Sequence, residues 1–309
     1  MKIGIDLGGS HVSIGLVDNN NEIVEKRTYF INDREDMSVK NYILTSIKTG
    51  IKEILLSKSL SEKDVKLIGI ASPGNPKNGI IQNVVNLGID NFDITTSLSI
   101  YFENAEVYVA NDAKCAALAE KTVGSLKDYA DSVFLCIGTG IGGAVFMNNK
   151  LLVPRKNTGF EFGHMIIRRD GEKCNCGNNG CLETYCSKKK LKEKLCKSLK
   201  IKDYVSAAEI IEIVKNNSNK EIDSLINTYV ENLALGIGNL INIFEPEVIC
   251  IGGSIVHYEE LIIERLRRKL EVGAYQFNKK NPPKILVART GNDAGIIGAT
   301  LIEGNIKEY

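Results

Sequence analysis

His164 stands ten residues ahead of Cys174, Cys176 and Cys181, a C-x-C-x4-C run, in a chain that holds three histidines and eight cysteines. Three thiols and one imidazole form a complete tetrahedral ligand set for a structural zinc ion. Gly177 and Gly180 permit the tight knuckle that turns three sulfurs toward one point. Two carboxylates, Glu161 and Glu183, bracket the arrangement. The metal would be a staple that positions them. Cys115, Cys136, Cys196 and Cys250 are scattered through apolar or helical segments, where a cysteine is a small buried hydrophobe. Cys186, on a predicted helix just beyond the knuckle, reads as a non-ligand. The pattern is that of a reduced, cytosolic protein with one metal knuckle rather than of a disulfide scaffold.

Three glycine turns each follow an apolar, strand-like segment: Asp6-Leu7-Gly8-Gly9-Ser10, Gly138-Thr139-Gly140 and Gly252-Gly253-Ser254. Glycine lets backbone N–H groups approach phosphate oxygens with no Cβ in the way. Asp6, at a strand end, can hold a hydrated Mg²⁺. Two such hairpins facing each other across a cleft would grip a triphosphate from both sides. Gly138 to Gly143 also satisfies G-x-G-x-x-G, but a dinucleotide fingerprint must open into a helix. Here it opens into a strand, Ala144 to Met147, and an Asn-Asn turn, which argues against NAD. The chain has no P-loop motif either. Asn111-Asp112 follows an apolar strand and precedes an alanine-rich helix. Both residue types favour a helix N-cap. Beside the glycine turns, Asp112 reads instead as a general base, taking the proton from a hydroxyl that attacks a γ-phosphoryl group.

The elements that must carry these groups repeat. Strand, glycine turn, strand and Asn turn run from Ile3 to Asn20 and again from Val133 to Asn149, which predicts two lobes on one α/β plan. Helical spacing is expected over Met37–Leu60, Asn91–Phe102, Leu182–Leu199, Ile222–Phe244 and Ala294–Ile302. Strands are expected at Lys66–Ala71, Glu106–Ala110, Glu247–Ile251 and Lys284–Ala288. The boundary is predicted at 1–110 plus the C-terminal helix 294–309 for one lobe, and 111–293, with the knuckle 164–181, for the other. The 309 residues carry 39 basic and 38 acidic side chains. That balance gives no electrostatic case for nucleic acid or an anionic membrane. No apolar run approaches a membrane span and no signal peptide is visible, so a cytoplasmic location is expected.

These residues resemble the ROK family of sugar kinases and sugar-responsive repressors. The resemblance covers essentially the whole chain. It rests on Asp6 to Ser10, Asn111-Asp112-Ala113, Gly138 to Gly143, Glu161-Phe162-Gly163-His164, and the knuckle from Cys174 to Glu183. It implies the two-lobed actin/hexokinase-like (ribonuclease H-like) fold, with ATP in the cleft. It also implies zinc on His164, Cys174, Cys176 and Cys181. Asp112 would be the catalytic base, and Asn111, Glu161, His164 and Glu183 would bind sugar hydroxyls. His164 would then serve both zinc and sugar, since metal ligation fixes one ring nitrogen and orients the other.

Some positions depart from the family. Ser10 stands where threonine is usual, and a hydroxyl survives. Lys114 and Cys115 replace the common Asn and Ala. The family's P-N-L-P-G-W segment is reduced to Val85-Asn86-Leu87-Gly88-Ile89, which keeps Asn86 as a sugar contact but leaves the sugar open. The expected reaction is ATP-dependent phosphorylation of a hexose, glucose at its 6-hydroxyl first. An N-acetylmannosamine or N-acetylglucosamine kinase and a fructokinase are the variants. A sugar-sensing regulator is the alternative of another class, disfavoured because Asp6 lies too near the start to leave room for a helix-turn-helix. A homodimer is implied by the resemblance alone.

Overall fold

The computed structural model describes residues 1–84, 87–154, 159–216 and 219–306. The chain opens with β1 (Lys2–Leu7), β2 (His11–Val17) and β3 (Ile23–Phe30), then α1 (Val39–Ser57) and β4 (Leu67–Ser72). A hairpin of β5 (Ile80–Val84) and β6 (Ile89–Asp93) leads to α2 (Ile94–Ser99), β7 (Glu106–Asn111) and α3 (Asp112–Thr122). Five strands form one sheet in the order β3-β2-β1-β4-β7. Strand β1 is antiparallel to β2 and parallel to β4, and β4 is parallel to β7. Helix α1 buries Ile43, Ile47, Ile51 and Ile54 along one stripe, each worth about 1.5–3 kcal/mol once removed from water.

The second sheet repeats the plan. Strand β8 (Ser132–Ile137) returns antiparallel through β9 (Ile141–Met147), followed by the two-residue β10 (Lys150–Leu151). Helices α4 (Leu182–Cys186), α5 (Lys188–Leu199), α6 (Ala207–Asn216) and α7 (Lys220–Phe244) come next. Then β11 (Val248–Gly252), α8 (Glu259–Glu271) and β12 (Lys284–Val287) complete this part, with β11 parallel to both β8 and β12. The last helix is α9 (Ala294–Ala299). No described helix is long and apolar enough to cross a membrane.

Helix α9 packs on the first sheet across a row of glycines. Gly15, Gly4 and Gly69 are in register on β2, β1 and β4. A Cβ on Gly4 would lie 2.0 Å from the Ile296 carbonyl oxygen, and one on Gly69 1.8 Å from that of Ala299. From the other side, Gly298 meets the Cys115 carbonyl of α3, where a Cβ would come within 1.8 Å. Backbone therefore lies on backbone, at a density that no side chain permits.

This packing moves the expected division. The compact units are Met1–Lys127 with Lys150–Gly159 and Arg289–Tyr309, and Asp128–Asn149 with Phe160–Ala288. The division falls after α3 rather than at residue 110, because α3 is clamped against α9 and β7. Fully buried Glu120 strengthens the clamp. One oxygen accepts hydrogen bonds from the N–H groups of Arg289 and Thr290 and from the Thr290 hydroxyl at 2.6–2.8 Å, and the other accepts from Ser125 N at 2.6 Å.

Two expected helices are interrupted. Asn91–Asp93 belongs to β6, paired with β5, and α2 starts only where Asp93 caps the Thr96 N–H at 3.1 Å. The run from Leu182 to Leu199 breaks at Ser187, which is extended (φ −65°, ψ 149°) and caps α5 through the Lys190 N–H.

Candidate active site

In the first unit, parallel β1, β4 and β7 bring the expected catalytic groups to the C-terminal end of the sheet. Asp6 pairs with Ala71, and Ser72 with Asn111. Two strand spacings, about 10 Å, separate β1 from β7. The Gly8–Ser10 turn is closed by a 2.9 Å bond from Gly8 N to His11 O, and Gly9 and Ser10 are exposed. Asp6 lies under Gly295, where a Cβ would come within 2.5 Å of its carboxyl carbon. Burial pushes the Asp6 carboxyl up to about 6, partly offset by Lys26, itself ion-paired with Asp293 at 2.7 Å.

Asn111, not Asp112, caps α3. Its Oδ1 accepts from the N–H groups of Ala113 and Lys114, and its Nδ2 donates to the Gly74 carbonyl at 3.2 Å. Asp112 is exposed on the first turn, one oxygen accepting from Ala113 N at 2.7 Å. Lys114 is buried on the same turn. The buried Cys115 thiol is pushed well above its ordinary range by burial, then by Asp112 and Asp6. Both carboxylates therefore act on one atom. Asn86 lies outside the described residues.

In the second unit two glycine turns meet. Gly138 N donates to Gly140 O at 2.8 Å. Gly253 (φ +79°) rests on the Ile137 backbone, and the Ser254 hydroxyl lies 3.8 Å from the position of a Gly138 Cβ. Thr139 is exposed between them. The Glu161–His164 segment packs on the same hairpin. Phe162 covers Gly143, and a Cβ on Gly163 would lie 2.5 Å from Ile141 O. Glu183 accepts from Ile141 N through Oε2 at 2.8 Å. Glu161 is exposed, while His164 and Glu183 are half-buried.

The cysteine–histidine cluster forms as expected from spacing. The ligand atoms of His164, Cys174, Cys176 and Cys181 all lie within 4.8 Å of one another. Cys176 and Cys181 sulfurs are 3.6 Å apart, and Cys174 Sγ is 3.7 Å from His164 Nδ1. Sulfurs at about 2.3 Å from a tetrahedral zinc would be about 3.8 Å apart, so the donor set and its spacing fit that ion. The histidine nitrogen turned to the thiols is Nδ1, which leaves Nε2. Gly180 (φ +78°) lets the knuckle close, since a Cβ there would overlap the Arg168 carbonyl. Cys186 is apart from the cluster, its thiol 3.9 Å from Tyr229 O.

One participant has no signal in the sequence. Phe160, next to Glu161, has φ +64°, a left-handed conformation that costs a residue with a Cβ roughly 1–2 kcal/mol. Its ring packs with Phe162 and Phe244 at centroid distances of 6.1–6.3 Å around the triangle. Such ring pairs contribute about 0.5–1.5 kcal/mol each, enough to offset the backbone term.

With strand order, glycine turns and cluster in place, comparison with known proteins defines the class. The model of the ROK family matches residues 2–305. A glucokinase of Thermotoga maritima is 31% identical over 97% of this chain and 96% of its own. A xylose repressor of Bacillus spizizenii is 30% identical over 97% of this chain and 76% of its own. The solved ROK hexokinase of Thermus thermophilus superposes with a TM-score of 0.78 at 25% identity, covering 97% of this chain and 96% of that one. The chain belongs to the ROK family, with its two-lobed α/β fold of the actin/hexokinase type.

Proposed function

We propose that the protein is a sugar kinase that transfers the γ-phosphoryl group of ATP to a hexose, converting glucose to glucose 6-phosphate. The observation that carries this reading is Asp112, exposed at the first turn of α3 beside the Asn111 cap, at the same C-terminal end of the sheet as Asp6 and its glycine turn. Asp112 accepts the acceptor's proton as the hydroxyl attacks, a contribution of about 10²–10⁴ in rate.

In the first unit the Gly8–Ser10 turn would offer the N–H groups of Gly9 and Ser10 to phosphate oxygens, the Gly8 N–H being held by His11 O. In the second, Thr139 and Gly140 of the Gly138 turn and the Gly252-Gly253-Ser254 turn would do the same, while the Gly138 N–H closes its own turn on Gly140 O. Asp6 would hold a hydrated Mg²⁺, which would supply positive charge against the phosphates. Glu161, Glu183 and His164 Nε2 bind sugar hydroxyls, with Asn111 and Asn86 contributing from the first part of the chain. His164, Cys174, Cys176 and Cys181 would hold a zinc ion, and that ligation would brace the wall and fix the histidine tautomer. Asn111 has committed its oxygen to the α3 cap, so only an Nδ2 hydrogen is left for a sugar.

A coupled ATP assay over glucose, mannose, fructose, allose, N-acetylglucosamine and N-acetylmannosamine tests the reading and names the acceptor. Turnover of an N-acetylhexosamine or of fructose ahead of glucose would move the substrate. Sugar binding with no turnover of any of them would favour a sugar-sensing regulator, the role named for the xylose repressor. A cytoplasmic homodimer completes the proposal, and light scattering checks the assembly.

A further inference from the structure

Glu183 faces two ways. It is the second residue of α4, whose N-cap is the cluster thiol Cys181. Its Oε2 accepts the Ile141 N–H at 2.8 Å, and the carboxylate lies against Gly140. A Cβ there would be 2.5 Å from Oε2 and 3.8 Å from Oε1. One oxygen is therefore committed to the phosphate turn, and Oε1 lies on the far side. A second tie joins the same segment to the same turn, from Lys188 N to Gly138 O at 2.9 Å. Between them, Gly163 of the Glu161–His164 wall rests on both Ile141 O and the Glu183 Cβ, 2.5 and 3.3 Å from where its own Cβ would be.

We propose that Glu183 is a positioning residue that couples the two substrates, holding the Gly138–Gly140 turn in its phosphate-binding shape only firmly once a sugar hydroxyl engages Oε1. The proposal rests on the reading of this wall as the sugar site and of this turn as a phosphate site. The physical cause is shared immobilisation. A half-buried glutamate samples several rotamers, and the ligand that arrives first bears the cost of fixing it. The second ligand then meets an ordered carboxylate and an ordered Gly138–Gly140 turn. Fixing one flexible side chain corresponds to a gain of about two- to tenfold in affinity, and linkage makes the gain mutual. A kinase built this way binds ATP poorly in the absence of sugar, which limits its hydrolysis by water.

The test is calorimetric. Dissociation constants for glucose and for the β,γ-imido analogue of ATP are measured alone and together in the wild type, in Glu183→Gln, in Glu183→Asp and in Glu161→Gln. Thermal melts and zinc content confirm that each variant is folded. The wild type is expected to bind the analogue about two- to tenfold more tightly with glucose present. Glu183→Asp loses that ratio, because aspartate is a methylene too short to span both partners, and Glu183→Gln, whose amide oxygen still accepts the Ile141 N–H but more weakly than a carboxylate, keeps only part of it. Glu161→Gln weakens glucose but keeps the ratio, since Glu161 has no bond to the turn. No ratio in the wild type, or a wild-type ratio in the Glu183 variants, overturns the coupling while leaving the sugar site intact. Unchanged glucose affinity in all three variants overturns the sugar wall itself, and the coupling with it.

Discussion

Gly163→Ala probes the contact on which the site depends. A Cβ on Gly163 would lie 2.5 Å from Ile141 O, 3.1 Å from Ile141 Cβ and 3.3 Å from Glu183 Cβ. Comfortable carbon contacts are about 3.5–4.0 Å, so the turn must retreat from β9 by about 1 Å. The oxygen it meets is strand backbone and cannot swing aside as a side-chain tip would. Overpacking of this kind costs about 1–3 kcal/mol. At about 2–4 °C per kcal/mol for a domain of this size, the melting temperature falls by about 2–12 °C. The effect on activity is larger in proportion. The turn carries Glu161 and His164, and a displacement of about 1 Å in positioning groups costs about 10²-fold in rate. Steady-state kinetics at a temperature where the variant is folded should show kcat/KM for glucose reduced by about 10²-fold. A value within about threefold of wild type, less than 1 kcal/mol in transition-state terms, would refute the claim that this contact positions the site.

Other perturbations separate the remaining parts. Asp112→Asn should lower kcat by about 10²–10⁴-fold while calorimetry still detects sugar binding; near-normal turnover would remove Asp112 from the base role. Cys176→Ser should lose the metal, read by elemental analysis, and weaken sugar binding; a metal-free variant with normal KM would show that the cluster does not hold the wall. Gly69→Ala should lower the melting temperature more than Gly15→Ala. The first forces a Cβ to 1.8 Å from the Ala299 carbonyl oxygen, whereas the second meets only the Ile296 side chain at 2.5 Å. Alkylation of the native protein, followed by mass spectrometry, should spare Cys115 and Cys186. Both are fully buried, and burial disfavours their reactive thiolates.

The cysteine–histidine cluster was legible because its signal is local. The knuckle needs only its ligand spacing and two glycines, and the metal cluster assembles from the four residues that spacing selects. The repeated strand–turn–strand pattern likewise appears as two sheets of matching topology. Errors fell where a local pattern met a distant partner. Helical spacing at Asn91–Asp93 lost to pairing with β5. The predicted boundary at residue 110 lost to the packing of α3 on α9. Nothing near Phe160 announces a left-handed backbone, because part of the compensation comes from Phe244 at the end of α7.

The amino-acid sequence by itself determined which groups could do chemistry: the ligand set, the glycine turns, Asp6, Asp112 and the flanking glutamates. Residue type and short spacing suffice for that, since a ligand's donor atom and a glycine's missing Cβ are properties of single residues. Tertiary structure decided what each group touches. It made Asn111 the cap and left Asp112 exposed, and it laid α9 on a glycine row assembled from three strands. It also turned one oxygen of Glu183 to a backbone N–H 42 residues earlier in the chain. The physical reason is that a carboxylate's role depends on its partners, and those partners are set by packing between segments far apart in the chain.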